Sequence, residues 1–265
     1  MLTNFHTHTQ FCDGKSTAEE MVLAAIDKGF SVLGFSGHGY TPFDDRYCMQ
    51  DTEGYIAEIT RLKEKYGGKI EILLGIEEEM RHFVERERYD YIIGSSHYAF
   101  LGDRFFDVDG SPEGLRAGIS ALGSPLAFAE DYYKNFCEYI LSRRPDIIGH
   151  FDLLTKFDER DGDIFLGIPE YTALANRYSE IAAGADCVFE VNTGAISRGW
   201  RKDPYPSAEI LHTLKKEGAR IMLNSDAHSA EGLDCAFSEA LALIKDIGFK
   251  ELHYIKGGEW HKESI

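Results

Sequence analysis

The chain alternates short apolar runs with amphipathic helical patterns from one end to the other, and this alternation most constrains its fold. The sequence has no internal repeat, low-complexity tract or long linker rich in Pro, Gly or Ser. Strands that alternate with helices are typical of parallel α/β proteins. We therefore predict one α/β domain over residues 1–265, with strands at residues 2–8, 30–36, 70–76, 91–96, 146–149, 187–192 and 219–224.

The start of the first helix is marked by a capping box. Ser16 and Glu19 have the spacing at which the hydroxyl and the carboxylate each accept a backbone N–H of the other residue. Lys28 and Gly29 are predicted to close the last turn, since glycine readily adopts the left-handed conformation that ends helices. The apolar runs on either side of this helix are therefore predicted to be strands.

Polar residues of the kind that bind metals follow almost every predicted strand. Side chains alternate along a strand, so His6 and His8 point to the same side, and Asp226 and His228 repeat that spacing. Barrels of parallel strands build their active sites at the carboxyl ends of the strands. The candidate ligands collected there are His6, His8, Asp13, His38, Glu77, His97, His150, Asp226 and His228.

A set of candidate ligands this large predicts more than one metal ion. Imidazole and carboxylate ligands without thiolate suit Zn, Mn or Fe. The run Glu77-Glu78-Glu79 would ordinarily be a solvated helix start, but Glu77 directly follows an apolar strand and is our choice for a bridging carboxylate. A lone His-x-His pair would be weak evidence for a metal site, and the distant Asp-x-His pair strengthens that evidence. The remaining histidines are predicted to lie on the surface: His82, His212, His253 and His261.

Two arginines follow neighbouring predicted strands, and both are expected to face the metal ions. Arg160 comes after the strand that ends at His150, and Arg198 comes after the next strand. A guanidinium offers a planar fork of donors that matches phosphate oxygens. The two arginines therefore indicate an anionic oxo-substrate, and the alternative is surface ion pairing with Asp158 or Asp203.

The charge balance narrows the classes of partner that the protein is expected to bind. Lys and Arg total 28 against 45 Asp and Glu, and a net charge of -17 argues against a nucleic-acid or anionic-membrane ligand. No run of eighteen apolar residues occurs, and the N-terminus has neither a basic start nor a hydrophobic stretch, so we expect no membrane span or signal peptide. The scattered cysteines predict reduced thiols and a cytoplasmic protein: Cys12, Cys48, Cys137, Cys187 and Cys235.

Taken together, these motifs resemble the polymerase-and-histidinol-phosphatase (PHP) family of metal-dependent phosphoesterases over nearly the whole chain. The matching segments are His6-Thr7-His8 with Asp13-Gly14, Gly37-His38, Gly75-Ile76-Glu77, Ser96-His97, Gly149-His150, Asn192-Thr193-Gly194 and Ser225-Asp226-Ala227-His228. The resemblance implies a distorted (β/α)7 barrel, similar to a TIM barrel, with three divalent metal ions. One departure is Cys12, where such proteins often carry a small hydroxyl residue, and some relatives use a histidine near Asp13.

The resemblance also implies how the ligands are divided, with Glu77, Asp226 and His228 as catalytic residues. A hydroxide bridging two ions would attack phosphorus, while Arg160 and Arg198 hold the phosphoryl oxygens. The implied ligand sets are His6, His8, Glu77 and Asp226 for one ion, Asp13, His38 and His228 for a second, and Glu77, His97 and His150 for a third.

The expected reaction is hydrolysis of L-histidinol phosphate, a step of histidine biosynthesis, to L-histidinol and phosphate. The residues leave two alternative functions open. Another PHP hydrolase would act on nucleotides or a phosphodiester, although no basic, aromatic-rich stripe supports a long nucleic acid. A non-catalytic metal module would have closed, usually sulfur-rich sites, unlike this set of histidines and carboxylates.

Overall fold

The computed structural model describes residues 1–162 and 164–265. The strands in this part of the chain are numbered in order as β1 to β11. They are β1 (Thr3–Asn4), β2 (Val32–Phe35), β3 (Glu71–Glu79), β4 (Tyr91–Ser95), β5 (Tyr98–Leu101), β6 (Arg104–Asp107), β7 (Ile147–Ile148), β8 (Val188–Asn192), β9 (Arg220–Asn224), β10 (Glu251–Lys256) and β11 (Glu259–Ser264).

Helices separate most of these strands and are numbered α1 to α9. They are α1 (Ala18–Asp27), α2 (Thr52–Tyr66), α3 (Pro112–Leu122), α4 (Pro125–Arg143), α5 (Asp158–Asp161), α6 (Pro169–Ala183), α7 (Gly194–Ser197), α8 (Ala208–Lys216) and α9 (Phe237–Ile247). Short 3-10 helices cover Arg86–Arg88, Leu153–Thr155 and Ala230–Asp234. Across the described ranges, no helix is both long and apolar enough to span a membrane.

The central sheet is parallel and has the order β1-β2-β3-β4-β7-β8-β9. Its two outer strands approach each other just beyond β1 and β9. There the His8 N–H donates to the Ala227 carbonyl at 2.8 Å, and the Ala227 N–H donates to the His6 carbonyl at 3.1 Å. The sheet is therefore a nearly closed barrel surrounded by helices, and the predicted distorted (β/α)7 barrel is confirmed.

One large buried side chain, Tyr91, packs inside the barrel. Tyr91, at the start of β4, donates its hydroxyl to the carbonyls of Phe5 at 2.6 Å and Phe35 at 3.1 Å. A Cβ added at Gly34 or Gly75 would lie 2.3 or 2.2 Å from the Tyr91 side chain. Both positions therefore require glycine, because the tyrosine packs directly against the backbone of the neighbouring strands.

The first helix begins one residue later than predicted. Thr17 is the N-cap, its hydroxyl accepts the Glu20 N–H at 3.2 Å, and its own N–H donates to the Glu20 carboxylate at 2.8 Å. The hydroxyl of Ser16 instead accepts the backbone N–H of Ala230 at 3.1 Å. The predicted capping box on Ser16 was therefore wrong, because a contact distant in sequence occupies that hydroxyl.

Two antiparallel hairpins lie outside the barrel pattern and were not predicted. The β5–β6 hairpin follows β4 and stands over the carboxyl ends of the strands, where Tyr98 and Asp107 line a cavity. The β10–β11 hairpin covers the opposite end, where Ile255 packs with Val32 and Val188 at the starts of their strands. One end of the barrel is therefore closed by apolar side chains and the other end is open.

Candidate metal centre

The predicted ligands converge at the open end of the barrel. A cavity of about 450 Å³ lies there, a size typical of small-molecule sites. The side chains of His6, His8 and Glu77 are fully buried beneath it. The other predicted ligands line its wall: Asp13, His38, His97, His150, Asp226 and His228.

Glu77 lies between several of the histidines. Its Oε2 is 2.8 Å from His38 Nδ1 and 3.3 Å from His6 Nε2. Its Oε1 is 2.9 Å from His150 Nε2 and 3.4 Å from His97 Nε2. Burial alone would raise the pKa of Glu77, but the surrounding imidazoles hold this pKa well below its ordinary value. The carboxylate is therefore charged and has an oxygen facing each half of the histidine cluster.

The alternation of β3 separates the three consecutive glutamates. Glu77 and Glu79 face the histidines, whereas Glu78 points to the outside of the barrel. There the carboxylate of Glu78 accepts from Arg143 at 2.9 and 2.7 Å and from the Tyr139 hydroxyl at 2.7 Å. The run is thus part of a buried strand and not a solvated helix start.

Asp226 follows β9 and faces the first two histidines. Its Oδ1 lies 3.1 Å from His8 Nε2 and 3.7 Å from His6 Nε2, and its Oδ2 accepts from Arg198 Nη2 at 3.0 Å. Its φ of 50° is in the left-handed region, which aspartate tolerates better than most residues. Burial opposes ionisation, but Arg198 and His6 hold the pKa of Asp226 well below its usual range.

A third group of ligands lies closest to solvent. His228 Nε2 is 3.2 Å from Asp13 Oδ2, and His38 Nε2 is 3.7 Å from Asp13 Oδ1. The ring of His8 stacks on that of His228, with 4.1 Å between centroids. The Asp13 side chain is 36% exposed and that of His228 is 22% exposed. This group therefore forms the outer part of the cluster.

The donor set fits divalent metal ions. Within the described ranges, His6 Nε2, His8 Nε2 and Glu77 Oε2 are buried and make no aligned hydrogen bond, although each lies close to another candidate ligand. Buried polar atoms normally have a hydrogen-bond partner. Zinc lies about 2.0–2.2 Å from nitrogen and oxygen ligands, so the ligand atoms around one tetrahedral ion are about 3–3.5 Å apart. Ligand atoms of His8, Asp13, His38 and His228, and of His6, His8 and Glu77, lie within 4.8 Å of one another.

The structure places only one of the two predicted arginines at the cavity. Arg198 lines it, with Nη1 3.2 Å from His228 Nδ1. Arg160 is exposed and lies outside, where its guanidinium stacks 4.8 Å above the Trp200 ring. The structure therefore does not bring Arg160 to the cavity, because its guanidinium packs on an aromatic ring on the outer side. Asp158, one of the acidic residues expected to pair with the arginines if they lay on the surface, is buried, and its carboxylate accepts the Phe165 N–H at 2.7 Å.

Lys156 is a second cation at the cavity in addition to Arg198, and the exposed Arg46, which pairs with Asp44, also lines it. Lys156 lies four residues before Arg160, is 8% exposed and donates to Asp109 Oδ2 at 3.0 Å and to the Asp109 carbonyl at 2.7 Å. Lys156 was not among the predicted site residues. The sequence feature that could have identified Lys156 is its position soon after His150, which follows a barrel strand.

Two buried carboxylates were also missed. Glu190 accepts from His6 Nδ1, which is 2.9 Å from its Oε2, and Glu79 Oε2 is 3.0 Å from His97 Nδ1. The signal for Glu190 was a charged residue inside an otherwise apolar strand. The remaining histidines lie outside the cavity lining: His82, His212, His253 and His261.

Two histidines have pKa values displaced in opposite directions. Burial lowers the pKa of His97, but the charges of Glu77 and Glu79 outweigh it and raise this pKa to about 9. Burial and the nearby rings of His228 and His38 lower the pKa of His8 to about 3. His8 is thus a neutral ligand over the physiological range, whereas His97 must lose a proton before it binds a metal.

Comparison with known proteins agrees with this arrangement. The sequence model of the PHP domain family matches residues 4–194. A probable histidinol-phosphatase of Deinococcus radiodurans is 31% identical over 264 residues, which cover 93% of this chain and 94% of that protein. The similarity to this relative therefore extends over nearly the whole chain and is not limited to the motifs.

Solved structures share the fold. A crystal structure from Listeria monocytogenes has a TM-score of 0.81 and 21% identity, and the match covers 90% of this chain and 99% of that one. A histidinol phosphate phosphatase from Lactococcus lactis, solved with zinc, L-histidinol and phosphate, has a TM-score of 0.67 and 22% identity. That match covers 98% of each chain.

Proposed function

The chain belongs to the PHP domain family, and from this premise we propose that it is a metal-dependent phosphatase that hydrolyses L-histidinol phosphate to L-histidinol and phosphate. The observation that carries the proposal is the convergence of nine metal-type side chains on one cavity that also holds Arg198 and Lys156. The relative from Deinococcus radiodurans is named a probable histidinol-phosphatase. The reaction belongs to histidine biosynthesis.

The proposed substrate is a small phosphomonoester. A cavity of about 450 Å³ accommodates a molecule of this size. The Lactococcus structure holds both products of the proposed reaction. The net charge of -17 opposes a nucleic-acid substrate, because a polyanion would meet a surface of like charge.

The proposed centre holds three divalent ions, and zinc, manganese or iron each suit its ligands. Separate groups of close ligand atoms support more than one ion: one group is His8, Asp13, His38 and His228, and another is His38, Glu77 and His97. His6, His8, Glu77 and Asp226 would hold one ion, Asp13, His38 and His228 a second, and Glu77, His97 and His150 a third.

Different residues of the chain have different roles in the proposed catalysis. When bound, divalent ions lower the pKa of water and so supply a nucleophile near neutral pH. Arg198 and Lys156 bind the phosphoryl oxygens and neutralise the charge that spreads over them. Asp226 holds Arg198 at 3.0 Å, and Asp109 holds Lys156 at 3.0 Å. Both cations are thereby oriented before the substrate arrives, which lowers the reorganisation needed for catalysis.

We further propose one catalytic domain over residues 1–265 that acts in the cytoplasm. The barrel supports the single domain, because its two outer strands come from opposite ends of the chain and contact each other. Five free thiols support a reducing compartment.

A phosphate-release screen tests the proposed function. Metal-loaded protein should release phosphate from histidinol phosphate far faster than from a nucleoside monophosphate or a phosphodiester. A preference for the diester or the nucleotide would identify a different PHP hydrolase. Metal binding without any phosphate release would identify a non-catalytic module.

A further inference from the structure

Two buried carboxylates outside the proposed ligand set contact different histidines of the metal centre. Glu190 is 1% exposed and its oxygens lie 3.0 and 2.9 Å from His6 Nδ1. Glu79 is 4% exposed and its Oε2 lies 3.0 Å from His97 Nδ1. In both cases the contact is made by the ring nitrogen that faces away from Glu77.

The contacts of Glu190 fix which nitrogen of His6 carries the proton. Both oxygens of Glu190 accept hydrogen bonds, from the His150 N–H at 2.7 Å, the Asn192 amide at 2.8 Å and the Asn224 amide at 2.9 Å. A carboxylate surrounded by donors in this way is an acceptor only. His6 Nδ1 must therefore donate, so Nε2, which faces Glu77 and Asp226, is the nitrogen available to a metal ion.

Glu79 has the same relation to His97. Its Oε2 accepts both the backbone N–H and the Nδ1–H of His97, each at 3.0 Å. These two hydrogen bonds hold the ring in position, and Nε2 lies 3.4 Å from Glu77 Oε1. A carboxylate behind a histidine ligand orients the ring and makes it a stronger base toward the metal.

In the outer ligand group, the rear ring nitrogens contact other proposed ligands: His38 Nδ1 is 2.8 Å from Glu77 Oε2, and His228 Nδ1 is 3.0 Å from the Asp226 carbonyl. In residues 1–162 and 164–265, no carboxylate outside the proposed ligands contacts His38 or His228. The Nδ1 of His228 also lies 3.2 Å from the guanidinium of Arg198, whose positive charge opposes a nearby cation. Asp13 is also the most exposed of the proposed ligands, so solvent screens its charge.

We propose that Glu190 and Glu79 are positioning residues that act on two different metal ions, through His6 and His97 respectively, and that the outer ion held by Asp13, His38 and His228 is the most weakly bound. The inference rests on the proposed metal centre. It predicts a graded affinity, with two tightly bound ions and one exchangeable ion.

Zinc titration of metal-free protein, in competition with a chromophoric chelator, tests the gradation. Wild-type protein should show one weak and two tight steps. Glu190→Gln and Glu79→Gln keep the shape of the side chain but remove its charge, and each should weaken one tight step about 10-fold to 100-fold without changing the weak step.

Double variants identify the histidine through which each carboxylate acts. Glu190→Gln should have no further effect on zinc affinity in a His6→Ala background, but its full effect in a His97→Ala background. Glu79→Gln should show the reverse pattern. Glu78→Gln is the matched control, because Glu78 is buried on the same strand but pairs with Arg143, so its zinc affinities should equal those of wild type.

The outcomes separate this inference from the proposed function. Three equally tight ions in wild type, unchanged affinities in both Gln variants, or weakening of the same step by both would overturn the inference while leaving the phosphatase intact. Wild-type protein that binds no zinc would overturn the proposed centre itself. If Glu190→Gln does not fold, Glu190→Asp retracts the carboxylate from His6 and should show the same selective loss.

Discussion

Glu77 is the residue on which most of the proposed centre depends. Both of its oxygens lie within 3.4 Å of two imidazole nitrogens, and the four imidazoles come from four different strand ends. A carboxylate in this position can serve two ions at once. Its removal therefore affects more than a single coordination bond.

Replacement of this carboxylate should release more metal than replacement of a terminal ligand. We expect Glu77→Gln to lower bound metal by more than about one equivalent per chain, since two sites share it, and His97→Ala to lower it by about one. Elemental analysis of dialysed protein measures both. Full metal occupancy in Glu77→Gln would contradict a bridging role.

The cavity-wall cations Lys156 and Arg198 should contribute to transition-state stabilisation. Lys156→Ala and Arg198→Ala should each lose about 2–4 kcal/mol of stabilisation, which is about 30-fold to 1000-fold in kcat/KM. Metal content should stay near wild type. Arg198→Lys should restore the rate only in part, because the amine keeps the charge but not the planar fork.

Arg160→Ala is the matched control for these cations. Its guanidinium stacks on Trp200 outside the cavity, so its loss should cost about 0.5–1 kcal/mol of stability and leave steady-state kinetics unchanged. A kinetic defect in Arg160→Ala of the size expected for Lys156→Ala would return Arg160 to the site.

At the scale of elements, the two hairpins give the two ends of the barrel different properties. The β5–β6 hairpin adds polar and aromatic side chains to the cavity, including Tyr98 and Asp107. The β10–β11 hairpin places Ile255 against apolar residues at the strand starts and closes that end. We therefore expect substitutions at the closed end to affect stability and substitutions at the open end to affect catalysis.

Truncation in the closing hairpin should reduce stability without affecting the reaction. Ile255 is 5% exposed, and Ile255→Ala should lower the free energy of unfolding by about 2–5 kcal/mol, because it leaves a cavity in the core. Denaturant unfolding measures this loss. The control is Ile181→Ala on α6, which is 41% exposed and should change stability by less than about 0.5 kcal/mol. A large loss of kcat/KM in folded Ile255→Ala would contradict the separation of the two ends.

At the scale of the whole molecule, the buried charges make the metal-free protein sensitive to pH on both sides of neutrality. The pKa values of Glu77 and Asp226 are lowered in the folded state, so their stabilisation is present above about pH 4 and is lost as pH falls through the folded values. The pKa of His97 is raised to about 9, so its stabilisation is complete below about pH 6.5 and is lost as pH rises through 9.

Zinc should therefore stabilise the protein more at high pH than at low pH. Protonated His97 must release its proton to bind an ion, so the apparent affinity rises as pH increases from about 6 to about 9. Thermal unfolding at buffered free zinc, with metal-free protein at each pH as the reference, measures the increase in Tm. A zinc-induced Tm increase that shrinks over this range would contradict the assigned proton release.

The barrel and the chemical nature of the site were predictable from the sequence. The apolar runs are the buried strands, and all seven barrel strands fall at or within a few residues of the predicted ranges. His6 and His8 share a side because of the two-residue period of a strand, and the same period separates Glu77 from Glu78. These features depend on spacing along a few consecutive residues, which the sequence contains directly.

Tertiary structure alone decided which groups complete the site. His6 and Glu190 are 184 residues apart, yet their side chains are in contact. Lys156 and Arg160 are similar cations a few residues apart, and only the packing of Arg160 on Trp200 separates their roles. The sequence determined the strands and the types of ligand because backbone periodicity and strand ends are local. The supporting carboxylates and the second cation were decided by the folded barrel, because those contacts join segments that only its closure brings together.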